Sequence, residues 1–421
     1  MRRRGLSWLA LGAALALTGA GMRLALAEET DGHGDPHAAT AEASADETSE
    51  GESSDRGPWK LTRPPMPFEI VRSLQFLQDQ VARGNNRAIA VQARLLRRFE
   101  PVFRDSDPEF WSDPRNLRAA ALFILSGGPP TVARSILGRT SLTGDDKALL
   151  EGALAYVENR QDEAREKLGS LDFRAMDPAL AGHISLALGQ IDQLEDSAKA
   201  IAHLDRARLL TPGGLIEEAA LRLEVLLADE AGDHEKADHL ARQYFDRFAR
   251  SSYAANFQAR FAAAYAARSG DEVATVASID DATARLDPEA RLSIFLAVGR
   301  RALVEGNLKL AAEASRVALN QDTGSREERQ RATLYSIASS LADVDYGEAA
   351  ATLNALDPAL LRPADQDLRE AAYTVLEQIR QASTPKFVAD TKIEEEATDV
   401  ASVAERAQRL LQEVSQDLQA E

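Results

Sequence analysis

The sequence predicts an all-α protein in which pairs of helices stack into a solenoid. Hydrophobic residues make up 44% of the 421 residues and aromatic residues only 5%, so the core must be built mainly from Ala and Leu. From Pro58 to about Ser383 the apolar residues recur at helical spacing, and no convincing segment alternates as a strand does. A turn signal that recurs between the predicted helices indicates that the helices come in pairs.

In each copy of the turn signal, a helix ends in Gly, Asn or Asp, and an Ala opens the next helix a few residues later. Gly232, Gly270 and Gly306 lie 38 and 36 residues apart. The copies are Asn159 to Ala164, Gly232 to Ala237, Gly270 to Ala274, Gly306 to Ala311 and, more loosely, Asp343 to Ala349, with Gly84 to Ala88 as an earlier candidate.

Prolines mark the connections between units, because Pro is tolerated in the first turn of a helix but not inside one. They stand at Pro178, Pro212, Pro288 and Pro358. Helix, turn, helix and connection together come close to the tetratricopeptide repeat, which has about 34 residues. We therefore predict a tetratricopeptide-like α-solenoid of degenerate helix pairs over residues 58–384. A non-repetitive helical bundle is the alternative.

Side-chain size along the predicted helices fits this close pairing. Two helices approach closely only where side chains are small, and larger side chains fill the wider gaps. The small positions next to the turns are Ala155, Ala164, Ala237 and Ala311. The predicted gap fillers are Leu240, Tyr244, Phe245 and Phe248.

Residues 1–27 are predicted to be a signal peptide. A basic start at 2–4 precedes an apolar stretch at 6–17, and Ala25 and Ala27 give the small-x-small pattern of a cleavage site after Ala27. This pattern predicts export to the periplasm. An uncleaved N-terminal anchor and twin-arginine export are the alternatives.

Residues 28–57 are predicted to be a disordered acidic linker. They hold ten carboxylates against one cation, Arg56, and contain no large apolar side chain that could offset the entropy of ordering. The segment therefore carries a charge of −9. His33 and His37 lie among these acids, so weak binding of a divalent metal is the alternative to a solvated spacer.

Residues 385–421 are predicted to be a linker followed by an amphipathic helix. Apolar residues repeat there at intervals of three and four, at Val400, Val403, Ala407, Leu410, Val414 and Leu418. This single apolar seam is short for an independent coiled coil. The helix is expected to cap the last repeat, and engagement of a partner helix or a disordered tail are the alternatives.

No chemical motif predicts catalysis, a cofactor, a metal site or a small-molecule substrate. His234 and His239 are five residues apart, which puts them about 140° apart around a helix, whereas the zinc-protease helix needs histidines four apart. His183 and His203 stand singly on helical segments, and residues 126–130 lack the Lys that completes a phosphate loop. The absence of Cys excludes disulfides and thiol nucleophiles. A net charge of −18 argues against nucleic acid as a partner.

One face of the helix predicted over residues 69–81 is a candidate partner-binding surface. Its apolar stripe is Ile70, Leu74, Leu77 and Val81, and off that stripe lie Arg72, Gln75, Phe76 and Asp79. Aromatic residues and Arg are enriched at protein interfaces, so these four are the candidate contacts. The alternative is that Phe76 packs against the next helix.

Five segments in this order and spacing resemble one family. They are 67–80 (PFEIVRSLQFLQDQ), 112–118 (SDPRNLR), 126–128 (SGG), 212–222 (PGGLIEEAALR) and 253–257 (YAANF). Together they resemble the MotC family, exported flagellar motility proteins of alphaproteobacteria that are often labelled chemotaxis proteins. The similarity runs from about Pro58 to about residue 380. The resemblance implies a periplasmic partner of the motor's stator, which binds the periplasmic part of MotB and is needed for rotation.

We therefore expect a non-catalytic, periplasmic motility accessory protein that recognises MotB over the concave inner surface of the solenoid. Its negative charge suggests a basic patch on the partner, so association should weaken as salt is added. The alternatives are a generic tetratricopeptide-like envelope adaptor unrelated to motility, and a cell-wall enzyme or its activator.

Overall fold

The computed structural model describes residues 65–383. The predicted signal peptide, acidic linker and C-terminal helix therefore lie outside the described residues, and the predicted domain boundaries stay predictions. Residues 65–383 form seventeen α-helices, two 3₁₀ helices (Pro108–Ser112 and Pro358–Leu360) and no strand, which confirms the all-α prediction. The α-helices are α1 (Pro67–Ala82), α2 (Asn86–Arg104), α3 (Pro114–Leu125), α4 (Pro130–Arg139), α5 (Gly144–Val157), α6 (Gln161–Gly169), α7 (Pro178–Asp192), α8 (Ser197–Leu210), α9 (Leu215–Glu230), α10 (His234–Phe248), α11 (Ala254–Ala266), α12 (Glu272–Thr283), α13 (Pro288–Val304), α14 (Leu308–Leu319), α15 (Arg326–Ser339), α16 (Tyr346–Ala355) and α17 (Pro363–Ser383).

Consecutive helices pack in pairs joined by tight turns, as the turn signal predicts. Asn159, Gly232 and Gly306 have φ angles of 58°, 82° and 82°, a left-handed conformation that Gly and Asn adopt more readily than other residues. From α7 onward, the first helices of successive units begin at residues 178, 215, 254, 288, 326 and 363, at intervals of 34 to 39 residues. The stacking of degenerate repeats is therefore confirmed.

Small residues at the pair interfaces have two sources. The predicted alanines Ala155, Ala164, Ala237 and Ala311 are fully buried. Glycines inside helices also allow two helices to approach closely, and they were not predicted from the sequence. A Cβ on Gly152 of α5 would lie 2.7 Å from the Leu168 side chain of α6, and one on Gly189 of α7 would lie 2.8 Å from Leu204 of α8.

The unit made of α11 and α12 departs from the predicted pairing. Ala274, which was predicted to open the second helix, lies in the first turn of α12 but is exposed. The reason is that α11 packs mainly against α9 and α13, whereas α12 packs against α10 and α14. Each helix of this unit is thus held by neighbouring units.

The first helices of four units close on one another in the N-terminal half. α1 packs against α3, α3 against α7, α7 against α9, and α9 back against α1. Almost every side chain of α3 and α7 is buried as a result. The expectation of an open concave inner surface is wrong for this part of the chain, because the first helices of its units pack against one another and leave no open surface between them.

α1 joins two packed cores. Ile70 and Leu74, in its first half, pack with side chains from α2 to α7. Val81, near its end, packs with side chains from α9 to α17. The Val81 carbonyl oxygen also accepts a hydrogen bond from the Ser252 backbone N–H at 3.1 Å, so the end of α1 is tied to the loop between α10 and α11.

The larger predicted core residues are also confirmed, since Leu240, Tyr244, Phe245 and Phe248 are all buried. Tyr244 and Phe257 have ring centroids 3.9 Å apart, and Phe245 meets Phe261 edge to face. Within residues 65–383, no helix is both long enough and apolar enough to cross a membrane.

Candidate functional site

The four predicted contact residues lie on one side of α1. At 100° per residue, Arg72, Gln75, Phe76 and Asp79 fall within an arc of about 100°. The opposite stripe is buried as predicted at Ile70, Leu74 and Val81, and half-buried at Leu77.

Phe76 points into solvent. Its side chain is 61% exposed, so the alternative that it packs against the next helix is wrong. Arg72 is exposed beside it and Gln75 is half-buried. An exposed aromatic ring flanked by a cation and an amide has the composition of a protein interface.

Asp79 differs from the other three because it faces the protein. It is half-buried, and its Oδ1 lies 3.3 Å from the position that a Cβ on Gly214 would occupy, at the start of α9. Burial raises the pKa of Asp79, while the charge of Arg83 acts in the opposite direction. Asp79 thus belongs to the contact between α1 and α9 as well as to the candidate surface.

A second surface, not foreseen from the sequence, lies on the outer side of α2. We call it the basic face of α2, and it consists of Arg87, Arg94, Arg97 and Arg98 with Ala90, Val91 and Pro101 between them. All seven side chains are exposed and fall within an arc of about 120°. Within residues 65–383, none of the four arginines forms an ion pair, and Glu100, which pairs with Arg104, is the one acid on α2. A lack of acids between residues 86 and 99 was the available signal for this surface.

A groove of about 520 Å³ opens along the basic face of α2. Its lining includes the small side chains of Ala90 and Ala93 together with Ile89. Arg94, Arg97 and Asn86 complete the lining, which contains no carboxylate. The groove combines room for an extended backbone with fixed positive charge.

A group of buried charged residues lies on α9 and on the helices beside it. Glu224 is fully buried, with the Lys236 Nζ 2.9 Å away and the Arg208 Nε 3.3 Å away. Burial raises the pKa of Glu224 to about 7, because the loss of solvation outweighs the two cations. Lys236 also lies 2.7 Å from Asp205, which links α8, α9 and α10.

Glu218, one turn before Arg222, is buried in the same helix. It accepts hydrogen bonds from the Tyr244 hydroxyl at 2.8 Å and the Ser251 hydroxyl at 3.2 Å, and it pairs with Arg222. A buried carboxyl with a raised pKa, such as that of Glu224, is a catalytic candidate in general. Here Glu224 pairs with cations from α8 and α10, whereas Glu218 pairs with Arg222 of its own helix and accepts its hydrogen bonds from Tyr244 and Ser251, so the geometry is that of structural contacts.

The histidines within the described part of the chain do not converge on a metal. His234 begins α10 and its Nδ1 lies 3.1 Å from Asp229, whereas His239 is exposed and contacts Gln243. His183 is buried and its Nδ1 lies 2.8 Å from the Ala179 carbonyl oxygen. Within residues 65–383, no group of three or more His, Asp or Glu side chains is placed to hold a metal ion. Residues 126–130 connect α3 to α4, as predicted.

Comparison with known proteins assigns the family. The family profile described as "Chemotaxis protein MotC" matches residues 2–421. The Chemotaxis protein MotC of Rhizobium meliloti (strain 1021) is 32% identical over 315 residues, which cover 74% of this chain and 72% of that protein. No solved structure matches the chain. On the strength of these two matches, the chain belongs to the MotC family, a motility-related family named for chemotaxis.

Proposed function

We propose that this chain is a non-catalytic, periplasmic accessory protein of the flagellar motor, which binds the periplasmic part of the stator protein MotB and supports rotation. Family membership supports the link to motility. The signal-peptide pattern of residues 1–27 supports export. The pairing of the buried carboxylates with cations supports the absence of catalysis.

The observation that carries the binding proposal is the exposure of Phe76. Isolated apolar side chains at a surface are ordinary, but an aromatic ring 61% exposed beside Arg72 and Gln75 has the make-up of an interface anchor. Aromatic anchors contribute a large share of binding energy when a partner desolvates them.

We expect Phe76→Ala to weaken binding to the purified periplasmic part of MotB at least about tenfold, which corresponds to about 1.4 kcal/mol. The matched control is Val273→Ala, since Val273 is equally exposed, at 61%, on α12. Titration calorimetry measures the affinity, and swimming in soft agar measures the effect on motility. Equal affinities for native and Phe76→Ala protein would contradict the assignment of this surface.

Deletion of the gene separates the proposed role from assembly. Stator support predicts filaments that are present but paralysed, because the motor is built and lacks torque. Missing filaments would favour an envelope adaptor in assembly, and normal swimming would remove the proposal.

A further inference from the structure

We propose that the acidic segment of the chain itself, residues 46–55, docks on the basic face of α2 and masks it. The face needs an explanation because it concentrates positive charge on a protein whose net charge is −18. Arg87, Arg94, Arg97 and Arg98 are exposed, and none of them forms an ion pair within residues 65–383. On other helices, some exposed arginines pair with acids close in the chain, as Arg301 does with Glu305 and Arg316 with Glu313.

α2 also lacks a neighbour on that side. It belongs to the first pair, and its described packing partners are α1 and α4. The terminal units of a solenoid leave one face uncovered because no further repeat stacks on it. The chain that leads into this first pair enters α1, the helix that packs against α2.

The charge of the preceding segment complements the face. Residues 46–55 carry five carboxylates, at Asp46, Glu47, Glu50, Glu52 and Asp55, and no cation. The segment has small side chains between its acids, so its backbone can approach Ala90 and Ala93 in the lining of the groove. Single exposed ion pairs contribute little, about 0–1 kcal/mol each, but several formed together hold a tethered segment.

The connection is long enough. Eleven residues, 56–66, lie between Asp55 and Pro67 at the start of α1, and this connection spans up to about 40 Å when extended. α2, with 19 residues, is about 28 Å long. Because the segment is tethered, its effective concentration at the face is on the order of millimolar, so even weak docking is populated.

Docking would make the acidic segment an internal competitor. An anionic molecule that approaches the basic face of α2 must displace residues 46–55 first. The inference does not depend on MotB or on the α1 surface, so it can fail or hold separately from the proposed function.

The first test uses the absence of cysteine from the chain. In the exported chain with its N-terminal segment intact, fluorophores are placed at Ser44→Cys, next to the acids, and at Gly138→Cys, exposed on α4 beside α2. Docking predicts high energy transfer at low salt and a loss of transfer as salt shortens the Debye length from about 30 Å at 0.01 M to about 3 Å at 1 M. A free acidic tether on an acidic protein predicts the opposite trend, because repulsion extends it at low salt.

Charge reversal identifies the docking face. Arg94→Glu with Arg97→Glu should abolish the low-salt transfer, whereas Arg326→Glu with Arg329→Glu, on exposed positions of α15, changes the net charge equally and should preserve it. Circular dichroism of each variant verifies the fold. Low-salt transfer that survives in the α2 variant, or that falls equally in both, would overturn the proposal.

A second test measures masking directly. A labelled peptide with the sequence of residues 46–55 should bind about tenfold more tightly to a chain whose five carboxylates in that segment are changed to amides than to the native chain. Equal binding would overturn the proposal. Phosphatidylglycerol vesicles that bound the native chain as tightly as the amide chain through Arg94 and Arg97 would also overturn it, since the acidic segment would then not mask the face.

Discussion

Glu224 links the protonation of one buried side chain to the stability of the helices around it. Its pKa is about 7 in the folded protein, against an ordinary value of 4.5. The folded state therefore holds this proton more tightly than the unfolded state. The stability it contributes is fully present below pH 4.5 and is lost as the pH rises to 7, by up to about 3 kcal/mol. We expect the difference in unfolding free energy between native protein and Glu224→Gln to shrink by that amount over this range in urea titrations.

Glu230→Gln is the matched control for this prediction. Glu230 lies on the same helix but is exposed, so its replacement changes the charge equally and should leave the pH dependence intact. Burial lowers the pKa of His183 and His203, which destabilises the fold as the pH falls. Both effects are common to all three proteins and cancel in the difference. A difference that stays constant from pH 4.5 to 7 would contradict the prediction.

At the residue scale, the sequence predicted which side of α1 is exposed but not the buried charges. The stripe of Ile70, Leu74 and Val81 follows from helical spacing alone, which is local, and it turns Arg72 and Phe76 outward. Whether Phe76 meets a neighbour depends on which helices pack beside α1, and spacing holds no such information. The partners of Glu224 come from α8 and α10, so its burial follows from tertiary packing.

At the element scale, the helix turns were predictable because their chemistry is local. Gly84, in the turn between α1 and α2, has a φ of 95°, where residues with a Cβ are strained. A Cβ there would also clash with the carbonyl oxygen of Arg250 in the loop between α10 and α11. We expect Gly84→Ala to lower the unfolding free energy by about 2 kcal/mol or more, measured by urea unfolding.

Gly138→Ala controls for the loss of a glycine. Gly138 lies in α4, and a Cβ there would meet nothing within 4 Å. Ala is the better helix former, so this change should be neutral or stabilising by up to about 1 kcal/mol. If Gly84→Ala were as stable as Gly138→Ala, the close contact between the first turn and the α10–α11 loop would be wrong.

At the scale of the whole molecule, closure of the first units was not predictable. The contacts that close the ring join α1 to α9 and Gly84 to Arg250, which lie far apart in the chain. A repeat pattern predicts contacts between neighbouring units but not contacts between units that are distant in the chain. Closure buries α3 and α7 on nearly all sides. Its signal in the sequence is a helix that is apolar all round, such as residues 119–125, which are all buried.

Because of this closure, we expect the N-terminal helices of the ring to unfold as one unit and the C-terminal helices to unfold stepwise. In a linear array, stability is a sum of units and their neighbour contacts, so terminal units fray. The ring of α1, α3, α7 and α9 has no free end, whereas α17 packs mainly on α15 and α16, with one ion pair between its Asp365 and Arg300 of α13. We expect amide hydrogen exchange at low denaturant to be slowest in α3, α7 and α9 and fastest in α16 and α17.

Two leucines test this division with the same chemistry. Leu221 of α9 and Leu376 of α17 are both buried, and removing either to Ala costs about 2–5 kcal/mol at its site. Leu221→Ala should accelerate exchange throughout α1, α3, α7 and α9, because opening any one of these helices breaks the ring. Leu376→Ala should accelerate exchange in α15 to α17 and leave the ring unchanged. Exchange mass spectrometry of both variants measures the two patterns. If Leu221→Ala acted only on α9 and its sequence neighbours, the N-terminal half would behave as an open stack, and the ring contacts would carry no cooperativity.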